Sequence, residues 1–311
     1  MVIDASFYLS LALKEAWKYQ GLTYPNPAVG CTVVGSHGEI LAVEAHHKAG
    51  TPHAEVNALK SAYYKLTNDE TALHVENSAD IHKFLIQNHN NIFADCSIYT
   101  TLEPCSKIGK TPACANLINE LKIKKVYIGS VDSYQDDFQN AEFGILKKEC
   151  DDLLKPFNLW QKDKFVFFKW AQRLDGSTDG SVSSLKSRTN VHAMRDVCDL
   201  LVIGGNTVRV DRPTLDARLV NGKSPDVLIY SRQKEFDKTI PLFKVDGRLV
   251  MISDNLKLIN NYKNIMIEGT QKMMELTKGI VNYNLCYLHI EDKFESLNIE
   301  KEDEDIIAWL K

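Results

Sequence analysis

The sequence lacks an apolar run approaching the ~20 residues a helix needs to cross a bilayer. Its first stretch, Met1 to Ser10, carries Asp4 and no basic cluster, so a secretory signal is not expected and a cytoplasmic protein is. It also lacks a disulfide framework. Seven cysteines, an odd number, are scattered through 311 residues, the usage of a chain kept in a reducing compartment. Lysines and arginines nowhere gather into a block, and the formal net charge is −4. A nucleic-acid partner would need that positive charge for the phosphates, so neither nucleic acid nor membrane is expected. What is present is ordinary globular material, 44% hydrophobic and 25% charged, in a chain long enough for two hydrophobic cores.

Against that background two short segments stand out. One is Pro52-His53-Ala54-Glu55; the other runs from Thr101 through Glu103-Pro104-Cys105 to Pro112-Ala113-Cys114. They offer one imidazole, two thiols and a carboxylate two residues from the imidazole. A catalytic zinc takes three nitrogen or sulfur ligands and leaves its fourth tetrahedral position to water. His53, Cys105 and Cys114 fit that set, and Glu55 fits the non-ligand glutamate that carries protons in zinc deaminases, whose His-x-Glu precedes a Pro-Cys pair. A closed structural zinc site is the competing reading, but no fourth ligand stands at a suggestive spacing and Glu55 would be idle.

Eight residues separate Cys105 from Cys114, where nucleoside deaminases usually place two. The wider gap and its filling, Pro104-Cys105-Ser106 through Gly109-Lys110-Thr111-Pro112 to Cys114, resemble the deaminase half of the bifunctional riboflavin-biosynthesis deaminase/reductase family. That resemblance implies a cytidine-deaminase-like, three-layer α/β/α domain, with Zn2+ on His53, Cys105 and Cys114 and with Glu55 catalytic. It further implies that Asn26, in the Pro25-Asn26-Pro27 loop, contacts the pyrimidine, that His46 lies on the substrate side, and that Lys110 helps hold the substrate phosphate. Turn chemistry alone is the competing account of Asn26. Lys107 stands where the family commonly has histidine.

Taken in order, residues 5–20 carry a helix-compatible apolar pattern closed by Gly21. A β-branched run follows the Pro-Asn-Pro loop, Gly35-Ser36-His37-Gly38 reads as a hairpin turn, and residues 39–45 return as a strand. Cys31 reads as core and His47 as an exposed bystander. A helix begins at His53. Residues 61–95 are not explained by the resemblance; Ile81, Phe84, Leu85 and Ile92 suggest one short added surface helix, and His74, His82 and His89 receive no role. Cys96–Thr101 reads as a buried strand, 113–121 as a helix and Lys124–Gly129 as the next strand, an alternation that predicts a largely parallel sheet. The charged Asp151–Lys155 stretch followed by Pro156 places the domain boundary near residue 150, giving a deaminase domain over 1–150 and a reductase domain over 151–311.

The second half resembles the family's reductase domain, which has a dihydrofolate-reductase-like α/β fold. The matching pieces are the strand Phe165–Ala171 with its Leu174-Asp175-Gly176 turn, Val191–Arg195, Gly204–Arg218 and Ile267-Glu268-Gly269. The resemblance implies NADPH contacts at Ala171, Thr207, Asp211 and Gly269. It places the ribose-phosphate substrate at Arg195, Leu215, Arg218 and Glu268; a guanidinium fork suits a phosphate. Three departures are visible. Arg173 replaces a serine, Ser181-Val182-Ser183 stands where the family has a Trp-Ile-Thr-like segment, and the Glu-Gly-Gly turn reads Glu268-Gly269-Thr270. The reductase half is therefore a divergent, shortened one. The expected function is deamination of a diaminopyrimidinone ribosylamino phosphate followed by NADPH-dependent reduction of ribosyl to ribityl, by a homo-oligomer. Its rivals are a deaminase with a non-catalytic ribose-phosphate-binding second domain, a nucleic-acid-editing deaminase and a zinc scaffold.

Overall fold

Asp4 opens the first helix, α1 (Ala5–Trp17), by accepting the Phe7 amide on its carboxylate. The helix buries Tyr8, Leu9, Ala12 and Ala16, one stripe at helical spacing. It lies directly on strand β1 (Gly30–Val34): a Cβ at Gly30 would sit 1.9 Å from the Ala12 carbonyl oxygen, so only glycine allows this approach. The computed structural model describes residues 4–107, 109, 111–131, 141–178, 180 and 182–289, and the backbone of 296–302 and 305–310. These residues fall into two compact units, Met1–Lys162 and Asp163–Lys311.

In the first unit β1 pairs antiparallel with β2 (Ile40–Ala45) and with β3 (Ser97–Leu102), and β4 (Lys125–Ser130) and β5 (Ala141–Phe143) continue in parallel, giving the order β2-β1-β3-β4-β5. Helices α2 (Ala54–Thr67), α3 (Ser78–Asn88) and α4 (Cys114–Glu120) share one core with the sheet, built on Val33, Leu59, Ile81, Phe93, Ile98 and Leu117. On the other face α1 and α5 (Lys147–Lys162) enclose Leu9, Val34, Tyr99 and Cys150. This is the expected three-layer α/β/α arrangement.

Two expectations change. Residues 61–67 simply continue α2, and α3, though exposed at Asp80, Lys83 and Gln87, is part of the core: Ile81, Leu85 and the following Phe93 are fully buried. Amphipathic spacing predicts the helix but not the depth of its apolar face. Residue 150, where the sequence places the boundary, falls inside α5. That helix buries Cys150, Leu153, Leu154, Pro156 and Trp160 and keeps its charges outward, so the charged run is one face of a helix and not a linker.

The second unit is a six-stranded parallel sheet, β11-β6-β10-β7-β8-β9. Its strands are β6 (Phe165–Arg173), β7 (Leu200–Gly204), β8 (Asp226–Tyr230), β9 (Val250–Ser253), β10 (Asn264–Glu268) and β11 (Tyr283–His289), with helices α6 (Leu185–Val197), α7 (Gly205–Asp211) and α8 (Gln271–Thr277). Leu200, Leu201 and Val202 are all fully buried, the two-sided burial of an inner parallel strand. A separate hairpin, β12 (Ser296–Glu302) and β13 (Asp305–Leu310), ends the chain.

Candidate functional site

Two helix starts and one loop build the first site. His53 is the N-cap residue of α2, with extended backbone and no side-chain capping bond, so its imidazole is free to turn inward. Glu55 lies in the first turn of the same helix and is 4% exposed. Cys114 opens α4, and Cys105 sits in the loop after β3, held by the Cys114 amide donating to its sulfur at 3.3 Å and by the Ala115 amide on its carbonyl at 3.1 Å. The His53 Nδ1 atom is 3.6 Å from Cys105 Sγ and 3.4 Å from Cys114 Sγ, and all three donor atoms lie within 4.8 Å of one another. A zinc with ordinary Zn–N and Zn–S bonds in tetrahedral geometry needs donor–donor edges of about 3.5–3.8 Å. These donors fit it. Among the described residues no fourth His, Cys, Asp or Glu completes the group.

The charges are set by the same packing. The Cys114 thiol hydrogen-bonds Cys105 and, against the effect of burial, brings that sulfur down to about 4; Cys114, the donor of that bond and buried, is pushed up. A divalent cation would draw off the remaining proton. Burial opposes charge on His53, yet the Cys105 sulfur and Glu55 outweigh it and raise its pKa. Burial lifts Glu55 to about 7, against the pull of His53, which suits a group that must both take and give a proton at neutral pH. The other ring nitrogen of His53, Nε2, lies 3.3 Å from Thr111 Oγ1. With Nδ1 committed to a metal, Nε2 carries the proton and the hydroxyl accepts it, which fixes the ring.

Next to the donors is a cavity lined by Pro27, Val29, His46, Leu102, Glu103 and Glu55. The His46 ring is oriented on both edges. Its Nδ1 is 3.1 Å from the Pro52 carbonyl, which can only accept, so Nδ1 holds the hydrogen and Nε2 accepts from the Asn26 amide at 3.1 Å. Burial lowers His46 to about 4, so it is neutral under ordinary conditions.

The second site lies at the carboxyl ends of β6, β10 and β7, the usual ligand position in open parallel sheets. A cleft there is lined by Lys169, Trp170, Ala171, Arg195, Thr207 and Asp211, together with Leu215, Glu268, Gly269 and Thr270. Glu268 accepts from Arg195 Nε at 3.1 Å and Nη2 at 2.8 Å, with Lys169 Nζ 3.9 Å from its other oxygen. Burial alone would raise this carboxylate, but Arg195 and Lys169 outweigh it and hold the pKa down. Close contact at Gly205 seats α7 against the end of β8: a Cβ there would lie 2.6 Å from that of Ser231.

Residues 3–130 match the cytidine and deoxycytidylate deaminase zinc-binding region, and residues 164–307 match the RibD C-terminal domain. The riboflavin biosynthesis protein RibD of Actinobacillus pleuropneumoniae is 30% identical over 285 residues, which cover 84% of this chain and 68% of that protein. The chain belongs to the RibD family. RibD of Aquifex aeolicus is 32% identical over 241 residues, 71% of this chain, and the match spans 60% of that relative's length. A Thermotoga maritima structure described as a diaminohydroxyphosphoribosylaminopyrimidine deaminase/5-amino-6-(5-phosphoribosylamino)uracil reductase shares the fold at TM-score 0.62 and 24% identity, over 99% of this chain and 98% of that one.

Set beside the sequence reading, His53, Cys105, Cys114 and Glu55 meet at one point, with His46 and Asn26 beside them. Lys110 lies outside the described residues. In the second unit Ala171, Thr207, Asp211, Gly269, Arg195, Leu215 and Glu268 share one cleft. Arg218 is not among its lining residues: it is exposed, and its Nη1 donates to Asp216 at 2.6 Å. Sequence reasoning missed Thr111, Glu103 and Lys169. The signal for Lys169 was a lone cation inside the apolar strand Phe165–Trp170; for Thr111 and Glu103 it was their place within the cysteine motif.

Proposed function

We propose that this RibD-family chain deaminates a diaminopyrimidinone ribosylamino 5'-phosphate and then reduces its ribosyl group to ribityl. One observation carries the first step: a buried carboxylate stands beside three donors spaced for a zinc with one open position. Zinc bound there supplies a Lewis acid that makes water a nucleophile near neutral pH. Glu55 takes the proton from the attacking water, passes it to the ring nitrogen and assists departure of ammonia, so water enters and ammonia leaves. Neutral His46, with Asn26 on its Nε2, would border the ring, and Pro27, Val29 and Leu102 give the cavity apolar walls.

NADPH bound in the second unit would supply a hydride to the sugar's anomeric carbon, whose bond to the ring oxygen opens as that oxygen takes a proton. Ala171, Thr207, Asp211 and Gly269 would position the nicotinamide dinucleotide; Arg195, Leu215 and Glu268 would hold the ribose phosphate, joined by Lys169. Arg218, beside the cleft on Asp216, would reach the phosphate from its rim, and Lys110 would serve the phosphate in the first step. The Glu268-Gly269-Thr270 turn does not favour a purely binding role. Thr270 has φ −98° and ψ −178°, which any residue adopts, while glycine is kept at position 269, where a Cβ would press on Met273 at 2.7 Å. Among the described residues no helix is long and apolar enough to cross a membrane. All seven cysteines are free thiols, which supports a reducing, cytoplasmic setting. Homo-oligomeric assembly belongs to the same proposal and is checked by sedimentation.

The test is metal analysis combined with separate assays of the half-reactions. One zinc per chain, ammonia release from the aminopyrimidine and NADPH oxidation with the deaminated product are expected. Ammonia release without NADPH oxidation would leave the second unit a binding module.

A further inference from the structure

Helix α5 lies between the two stretches that match known families, residues 3–130 and 164–307, and packing accounts for most of it. Cys150 and Leu153 pack in the layer with α1, and Leu154 joins the core shared with α2, α3 and α4. Trp160, in the last turn, does something else. It is 3% exposed; its indole Nε1–H donates to the Pro25 carbonyl at 3.2 Å, and its ring meets Tyr24 edge to face at 5.0 Å. Both contacts fall on the loop that presents Asn26 and Pro27.

That loop is closed on itself. The Asn26 backbone N–H donates to the Thr23 carbonyl at 2.8 Å, and the buried Thr23 hydroxyl donates back to the Asn26 backbone carbonyl at 2.9 Å. It therefore moves as one piece, and its height is set by what it is attached to. On the inner side the attachment is the Asn26 side-chain Nδ2 on His46, whose other nitrogen donates to the carbonyl of Pro52, the residue before His53. On the outer side it is Trp160. A line of hydrogen bonds and short backbone links thus runs from α5 to the residue that would hold the metal.

We propose that Trp160 is a positioning residue for deamination: its indole N–H sets the seat of the Asn26 loop against the pyrimidine cavity. Trp160 does not touch that cavity, whose lining begins with Pro27 and His46. It acts through the loop, so substrate binding feels its loss more than turnover does. The inference rests on the deaminase reading above.

Trp160→Phe keeps an aromatic ring beside Tyr24 but deletes the donor along with part of the buried ring volume. In the full-length, zinc-loaded protein, ammonia release should show KM for the aminopyrimidine raised about tenfold, the scale of one lost buried hydrogen bond. Turnover should stay within about twofold, since the reacting groups are untouched, with zinc content and NADPH oxidation unchanged. Phe157→Leu loosens packing beside Trp160, whose ring centroid is 6.2 Å away, and should lower Tm without moving KM. An unchanged KM in Trp160→Phe overturns the proposal, as does an equal rise in Phe157→Leu or a loss of activity that only tracks lost zinc. If Trp160→Phe folds poorly, benzothienylalanine at position 160 replaces N–H by sulfur in the same shape and gives the same comparison. A wild-type protein that releases no ammonia takes down the deaminase reading with it; an active wild type with a silent variant removes this inference alone.

Discussion

Glu55 stands at the centre of the first site and Glu268 at the centre of the second, and the two are driven in opposite directions. Glu55 is 4% exposed and stands beside sulfur that carries negative charge; burial lifts it to about 7. The Glu268 side chain is 13% exposed, and Arg195 with Lys169 holds it below the usual carboxylate range. Residue type and burial are alike, so the neighbours decide. The first carboxylate is left able to pick up a proton; the second is fixed as an anion and serves as an anchor for two cations. The first site is arranged to accept a metal; the second, in the proposed reduction, would orient charged groups around the sugar phosphate.

The sharpest way to break this comparison is to remove the proton carrier. Glu55→Gln should lower ammonia release about 10³-fold, within the range for a positioned acid–base group, while zinc content and NADPH oxidation stay at wild-type levels. Sustained ammonia release in this variant would show that Glu55 is not the carrier, and the contrast with Glu268 would lose its meaning.

Next in size is the anchor. Arg195→Met leaves Glu268 with Lys169 alone and should cost about 3 kcal/mol, as expected when one partner of a buried pair is removed. The pH dependence follows from the sign of the shift. A depressed pKa contributes stability that is complete above the unfolded carboxylate value of about 4.3 and is lost as pH falls through the lower folded value. Urea denaturation of the second unit should therefore show wild-type stability falling below about pH 4 from this pair, with a shallower fall in the variant. Equal slopes would mean that Arg195 is not what holds Glu268 charged.

Chemistry was more legible in the sequence than depth. His53, Glu55, Cys105 and Cys114 could be grouped because metal binding restricts residue types and their spacing, whatever the fold around them. The strand from Phe165 could be found because an inner parallel strand is buried on both faces, so Phe165–Phe168 reads as an unbroken apolar run. In α3 the apolar spacing gave the helix, yet nothing local distinguishes a face resting on the surface from one reaching Ile98 and Leu117. Likewise Arg218 and Lys169 are both lone cations in sequence. Only the turn at Asp216 and the register of β6 send the first toward solvent and the second into the cleft. The charged stretch at Asp151 misled because a solvent-facing helix side and a linker have the same composition.

A third prediction sharpens the first site. Thr111→Val removes the acceptor for His53 Nε2 at 3.3 Å. Loss of such an outer partner typically weakens metal binding by about tenfold or more, so competition with a chelator should extract zinc more readily from this variant. Affinity equal to wild type would mean that the ring is held by packing alone.

The smallest effect tests whether the second site also has a remote brace. Arg248, ahead of β9, donates from Nη1 to the Leu215 carbonyl at 2.5 Å and from Nη2 to those of Thr214 and Leu242 at 2.7 Å each. Leu215 has φ +56°, a conformation a leucine keeps only when its surroundings impose it. A planar fork can serve these carbonyls together, whereas an ammonium is a point charge on a flexible stem. Arg248→Lys should therefore raise KM for the sugar phosphate about threefold, less than one full hydrogen bond is worth, and leave KM for NADPH alone, since Ala171, Thr207 and Gly269 lie on β6, in α7 and after β10. If both constants shift together, Arg248 supports the whole sheet edge, and the two units differ in how their substrate loops are held as well as in how their glutamates are charged.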